Sequence, residues 1–322
     1  MVGLILAWTL GIAGVKEEPP EKLIVGEAAG YSVRIIRINL NDPRVHINVG
    51  VATGFPFGVN PFHQLVERTK PVAAINGAYA SKTDFRPIGD IVIKGKLVYS
   101  GLMGTALAIT KDKQVMIRRV RWGHAEDWSA YETVLSCGPA LVLNGQVDVL
   151  PAFEKFSDPH VMGSTRRMGV GVTPDNHLLF VNTLSSVNFY QFGKIMLALG
   201  CRDAMNLDAG ASLGLYYRGK YLITPERHIT NILMLHVGDK EPGINALFPQ
   251  SGGNGGGGKV NSTPPPRDPG NSVAKNAVLV ELCADSMGKA SSYCPERIKR
   301  KVPTNKIPRP CPFHKIPAGE RG

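Results

Sequence analysis

Short apolar runs separated by turn residues fill the chain from about residue 22 to residue 240. The segments YSVRIIRINL, RVHINVGVA, PVAAING, DIVIKGKLVYS, ALAITKDKQVMIRRV, ALVLNGQVDVL, GVGVTPDNHLLFVNT, LYYRGKYLIT and NILMLHV have strand length and strand composition, so they predict β-strands. Several carry their own turn. Lys94-Gly95-Lys96, Lys111-Asp112-Lys113, Asn144-Gly145 and Arg218-Gly219-Lys220 each predict a hairpin. Only 60–70 and 188–200 repeat apolar residues with helical spacing, and the second stops at Gly200, a favoured residue just past a helix end. Strands dominate and helices are inserted among them. The fold class expected is therefore α+β: a mixed β-sheet core with many hairpins and a few helices, plus a small C-terminal tail module. No internal repeat of fixed period is visible.

Composition divides the chain further. Its 322 residues are 43% hydrophobic, enough for one large core and something smaller. The high Gly and Pro counts, 36 and 24, argue against a helical bundle. Residues 1–15 are apolar or small up to the first charge at Lys16 and too short for a stable membrane span. They read as a truncated signal-like segment lacking the basic leader, the alternative being a buried first strand. An extracytoplasmic, envelope-associated protein is the expectation. Residues 241–272 include SGGNGGGGKVNSTPPPRDPG, a linker with a flexible Gly run and a stiffer Pro run. Gly253 to Lys259 has the glycine and lysine spacing of a phosphate-binding loop, but Val260 stands where Ser or Thr is required and no strand precedes it. Residues 273–322 form a small basic Cys-containing tail. From Glu281 to Gly322 nine Lys/Arg face four Asp/Glu, so +5 of the net +11 lies there. No nucleic-acid-binding motif accompanies this charge, and nucleic acid is not an expected partner. The basic tail suits an anionic wall polymer.

Candidate chemistry sits at strand ends. Apolar runs terminate at Asn76-Gly77, at Asp90, at Gly138-Pro139 and at Asn206-Leu207-Asp208, and a run starts after Arg166-Arg167. Each alone has an ordinary explanation: a turn, a strand boundary, a solvated pair or a cap. In this order they resemble the phosphodiester glycosidase family, over about residues 70–240. The residues that carry the resemblance are Asn76-Gly77-Ala78-Tyr79, Gly138-Pro139 with Asn144-Gly145, and Arg167-Met168-Gly169-Val170-Gly171-Val172-Thr173. The last and most specific stretch runs from Gly200-Cys201 through Asn206-Leu207-Asp208-Ala209-Gly210-Ala211-Ser212. Ala209, Ala211 and Met168 depart from the family's usual Gly, Gly and Thr.

The resemblance implies hydrolysis of a sugar-1-phosphodiester with no cofactor. Breaking the bond between the anomeric carbon and the phosphate oxygen builds positive charge on the sugar and negative charge on the leaving phosphate. Asp208 is the first candidate for the carboxylate that meets the sugar's charge or activates water, and Asp90 the second. Arg167 is the candidate phosphate fork. Asn76 and Asn206 are candidates for bonds to sugar hydroxyls, with Gly77, Gly138, Gly210 and Ser212 shaping the site. Ala209 and Ala211 favour a rival, a non-catalytic glycan- or wall-polymer-binding protein on the same fold, because each adds a methyl and disfavours positive φ.

Cys137 and Cys201 either pair or remain buried thiols. The tail, LCADSMGKASSYCPERIKRKVPTNKIPRPCPFH, resembles that of some penicillin-binding proteins, which implies a bacterial envelope. A Cys283–Cys294 disulfide, a zinc site of Cys283, Cys294, Cys311 and His314, and free thiols are its three readings.

Overall fold

The structure, a computed structural model, describes residues 18–250. The signal-like segment, most of the linker, and the tail with Cys283, Cys294, Cys311 and His314 lie outside the described residues. The elements run in chain order from β1 (Glu21–Ala28), β2 (Tyr31–Asn39) and β3 (Val45–Val51) to helix α1 (Phe62–Thr69). Next come β4 (Ala73–Asn76), β5 (Ile91–Ile93), β6 (Lys96–Tyr99), β7 (Thr105–Thr110), β8 (Val115–Arg119) and β9 (Tyr131–Cys137). They are followed by β10 (Ala140–Leu143), β11 (Gln146–Val147), a helical turn α2 (Pro159–Met162), β12 (Met168–Val172), β13 (His177–Thr183) and helix α3 (Phe189–Ala198). Last are β14 (Asp203–Asn206), a 3-10 turn at Gly210–Ser212, β15 (Leu215–Tyr217), β16 (Lys220–Ile223), β17 (Asn231–Val237) and a helical turn α4 (Ile244–Leu247).

The strands form three antiparallel sheets. One has the order β1-β2-β13-β12-β14-β10-β11, a second β16-β15-β4-β17-β3, and a third β6-β5-β9-β7-β8. The fold is α+β with a sheet core, as expected. All four expected hairpins form, and three close on a two-residue turn with both residues at positive φ: Lys94-Gly95, Asn144-Gly145 and Arg218-Gly219. That conformation matches strand twist and suits Gly at the second position. Asn188 caps α3, accepting from the Gln191 amide while the Gln191 side chain accepts from the Asn188 amide.

Two strands escape the hydrophobic pattern. β1 joins β2 through Ala29-Gly30, where Ala29 takes φ of 50° without being a usual turn residue. β9 carries polar Glu132, Thr133 and Ser136, yet it is the central strand of its sheet, paired with both β5 and β7. Thr133 is tolerated because its hydroxyl donates to the Ile47 carbonyl. At the C-terminal side, Leu247 is fully buried. The folded body therefore runs on into the segment assigned to the linker by composition.

The strand β12 shows how the sheet receives α3. Met168, Val170 and Val172 join the main core with Ile36, Phe180 and Met205. Gly169 and Gly171 face the other way, where a β-carbon would lie 2.8 Å from the Phe192 ring and 2.5 Å from the Cys201 sulfur. Alternating glycines thus let α3 lie directly on the sheet. This seats β14, fully buried, between β12 and β10.

Candidate active site

β14 and β4 belong to different sheets, and their C-terminal ends meet. The contact is made by backbone: the Asp208 amide donates to the Gly77 carbonyl at 3.0 Å. The Asn76 side chain locks the same junction. Its Nδ2 donates to the Asp208 carbonyl at 2.7 Å and its Oδ1 accepts from the Gly214 amide at 3.0 Å. From the start of β17, Asn231 Oδ1 accepts from the Ala78 amide at 2.8 Å, and a β-carbon on residue 77 would meet that oxygen at 1.9 Å. Gly77 is therefore required by close approach, and Asn76-Gly77 is a clamp rather than a turn.

The clamp borders a cavity of about 140 Å³. Asn76, Gly77, Asp208 and Ser212 form its buried floor, and Arg227, His228, Thr230 and Asn231 a wall. Asp208 Oδ1 accepts from the Ala209 amide at 2.8 Å, and Oδ2 is ion-paired with Arg227 Nη2 at 2.9 Å. Arg227 Nε donates to Ser212 Oγ at 2.6 Å. Burial pushes the Asp208 carboxyl above its ordinary value, opposed by Arg227, the Ser212 hydroxyl and the Ala209 amide. Arg227 is about half exposed at its side chain, 52%. Two of its five N–H donors are used among the described residues, so the outer part of the fork is open toward the cavity.

The remaining sequence candidates are distributed differently. Asn206 is completely buried behind the cavity: Nδ2 donates to Tyr79 Oη at 2.8 Å and Oδ1 accepts from Arg167 at 3.5 Å. Arg167 does not line the cavity. Its guanidinium lies 3.7 Å over the Phe189 ring and donates to the carbonyls of Val187, Val161 and Gly163. Asp90 is also away from the cavity. Oδ1 accepts from the amides of Gly101 and Leu102, and Oδ2 from Trp128 Nε1, so this carboxylate organises the loop after β6. Gly138 sits behind Asn206: its amide donates to the Asn206 carbonyl and its carbonyl accepts from Asn206 Nδ2. Gly210 opens the 3-10 turn with φ of 61°. The neighbouring alanines do not share that conformation. Ala209 is extended at φ −138°, Ala211 is not at positive φ, and neither lines the cavity.

Arg227 and His228 were missed from the sequence. The signal was present in PERHITNILMLHV, another apolar run with polar residues at its entrance, which escaped because it lacks Gly and Asn-Gly punctuation. Cys137 and Cys201 are both free and buried. Burial raises both thiols, Cys201 up to about 12, which removes them as nucleophiles. Among the described residues no cluster of three or more His, Cys, Asp or Glu is arranged to hold a metal, and no helix is long and apolar enough to cross a membrane.

The fold has solved counterparts. It is similar to the catalytic domain of zebrafish N-acetylglucosamine-1-phosphodiester alpha-N-acetylglucosaminidase, auto-inhibited by its pro-peptide, with TM-score 0.57, 17% identity, and coverage of 69% of this chain and 85% of that one. It is also similar to a hypothetical protein from Synechocystis, with TM-score 0.55, 14% identity and coverage of 69% of this chain, spanning 64% of that chain's length. No curated protein matches the chain in sequence. The profile of the phosphodiester glycosidases does match, from residue 69 to residue 236, more than half of the chain. The matched segment contains both halves of the clamp and every cavity-lining residue except Val59, and on this evidence the chain belongs to the phosphodiester glycosidase family.

Proposed function

We propose that the protein hydrolyses a sugar-1-phosphodiester of bacterial envelope or exopolysaccharide material, with Asp208 and Arg227 as the working pair. The observation that carries this reading is their joint position: one carboxylate on the cavity floor, held at 2.9 Å by an arginine whose other donors are open. Asp208 meets the positive charge that develops at the anomeric carbon and accepts the proton of the attacking water. The C1–O bond breaks, and its electron pair leaves with the phosphate oxygen. Arg227 holds that phosphate through its free N–H groups, so the charge-neutral pair becomes a cation facing the leaving anion. The released phosphomonoester departs readily as an anion, so a second carboxylate acting as acid is not needed. Asp208 is the one carboxylate among the cavity-lining residues.

Asn76 and Asn206 serve the reaction indirectly here. Their side chains hold the Asp208 loop and the Tyr79 hydroxyl in place. The conformations of Ala209 and Ala211 give the non-catalytic rival no support, because neither residue needs positive φ. The apolar residues 1–15 and the basic tail support an extracytoplasmic, envelope-associated place, with the tail able to rest on anionic wall polymer. Turnover tests the reading. A panel of sugar-1-phosphodiesters should include one that releases free sugar and a phosphomonoester. Asp208→Asn should lower its kcat by about a hundredfold or more while binding is kept. Tight binding without turnover across the panel would favour the glycan-binding reading instead.

A further inference from the structure

Two loops outside the cavity lining meet at the surface, and each is tied from below by a buried carboxylate that the proposed chemistry does not use. The loop after β8 carries Trp122, and Asp90 holds it. Oδ2 accepts from Trp128 Nε1 at 2.8 Å, Oδ1 accepts from the Leu102 amide, and the Leu102 carbonyl accepts from the Gly123 amide. The segment after β11 makes one helical turn. The Glu154 amide donates to the Leu150 carbonyl, and the turn closes with the Phe156 amide on the Pro151 carbonyl and the Lys155 amide on the Ala152 carbonyl. Glu154 is the buried side of this turn. It accepts from the Ala140 amide at 2.9 Å, Thr105 Oγ1 at 2.6 Å and Arg119 Nε at 3.0 Å. Leu150 and Phe153, three residues apart, stand on its outer side. Cations interlock the two loops. The Arg119 guanidinium carbon lies 5.9 Å from the centre of the Phe153 ring, and Lys155 Nζ lies 5.5 Å from that of Trp122.

The result is a preformed surface that is both apolar and cationic. Phe153, 71% exposed, is the most exposed large apolar side chain among the described residues, and Trp122 and Leu150 follow at 53% and 50%. Apolar side chains gathered in this way mark a binding surface. Charge says what it meets. The nearby acids are engaged: Asp148 and Glu154 with Arg119, Glu126 with Arg118, and Asp127 with the Ser129 amide. Arg121 and Lys155 have no carboxylate partner among the described residues. Lys155 also takes φ of 66° just past a helical turn, where glycine is the usual residue, so a strained backbone keeps a cation over Trp122. We propose that this surface is an interfacial anchor that seats the protein on an anionic lipid bilayer. Trp122, Phe153 and Leu150 enter the boundary between headgroups and acyl chains, and Arg121 and Lys155 meet lipid phosphates. Aromatic rings beside cations suit that boundary, where an apolar body and a charged tip find different surroundings. A glycan would stack on the two rings and leave Leu150 idle. None of these residues lines the Asp208 cavity, so the inference stands independently of the reaction proposed there.

The test sediments the full chain with vesicles of phosphatidylcholine containing about one third phosphatidylglycerol. Trp122→Ser combined with Phe153→Ser should lower the partition coefficient about tenfold or more, with Tm kept, since exposed side chains contribute little to stability. Arg121→Gln combined with Lys155→Gln should lower it about tenfold on these vesicles and leave it unchanged on phosphatidylcholine alone. The apolar residues 1–15 and the basic tail are common to every variant, so their own contribution cancels in the comparison. Insertion is read separately with lipids brominated in the acyl chain. Tryptophan fluorescence of the parent should be quenched, and Trp122→Phe should be quenched less while still sedimenting. A parent that does not sediment with the anionic vesicles, equal partition of the parent and either double variant, or quenching unchanged in Trp122→Phe overturns the anchor. So does a Trp122→Ser, Phe153→Ser protein that loses binding to an anionic polysaccharide, or loses self-association, in place of vesicle binding, because the surface would then meet a glycan or a second copy of the chain.

Discussion

Asp208 is held in a state that the fold opposes. Burial raises its carboxyl above the ordinary value near 3.8, so the native protein holds that proton more tightly than the unfolded chain does. Stability contributed by this group is therefore greatest below the unfolded value and is lost as pH rises through the raised native value. Asp208→Asn removes the ionisation. At neutral pH the variant should melt above the parent. The difference should vanish near pH 3, and a variant that is destabilised at neutral pH would contradict the account. The two arginines should separate by phenotype. Arg167→Lys loses the fork that satisfies three buried carbonyls and should cost roughly 2–3 kcal/mol in denaturant unfolding, with the substrate KM little changed. Arg227→Lys, at a half-exposed side chain, should leave stability within about 0.5 kcal/mol and raise KM instead. The reverse pattern would return phosphate binding to Arg167.

The clamp between the ends of β4 and β14 depends on backbone approach. Gly77→Ala would drive a methyl into Asn231 Oδ1 and displace the Ala78 amide bond and the Asp208–Gly77 link together. The expected loss is about 1–3 kcal/mol of stability, as for an overpacked core site, with turnover reduced beyond what that loss explains. Normal turnover in a stable Gly77→Ala protein would show that the clamp does not set the site. Much of this architecture was legible in sequence. Turn chemistry at Lys94-Gly95, Asn144-Gly145 and Arg218-Gly219 marks hairpins that form as written. Asn206-Leu207-Asp208 marks a strand end, and that end reaches the cavity at Asp208. What was hidden depends on tertiary contacts. β9 is a central strand whose Thr133 finds its partner across the core at the Ile47 carbonyl, and the partners of Asp90 and Arg167, backbone groups and Trp128, are remote in the chain. Arg227 looks like a surface charge until β17 brings it to Asp208, 19 residues away.

Along the whole chain, the folded body ends later than composition suggests. Glu241 meets the His46 ring at 2.5 Å and is ion-paired with Lys94, and Leu247 is fully buried. A protein ending at Gln250 should fold and keep its turnover, because the Gly- and Pro-rich stretch that follows reads as a linker. One ending at Asp239 should lose these contacts and melt well below it. Equal Tm values for the two truncations would put the boundary back near residue 240, and loss of folding in both would mean that the tail is part of the body. The account stands most directly on which bond breaks. Turnover of a sugar-1-phosphodiester in water enriched in oxygen-18, followed by phosphorus NMR of the released phosphomonoester, reads this without ambiguity. Attack at the anomeric carbon predicts a phosphate free of the heavy isotope at every time point. A phosphate carrying one oxygen-18 would mean attack at phosphorus, and Asp208 and Arg227 would then have been given the wrong reaction.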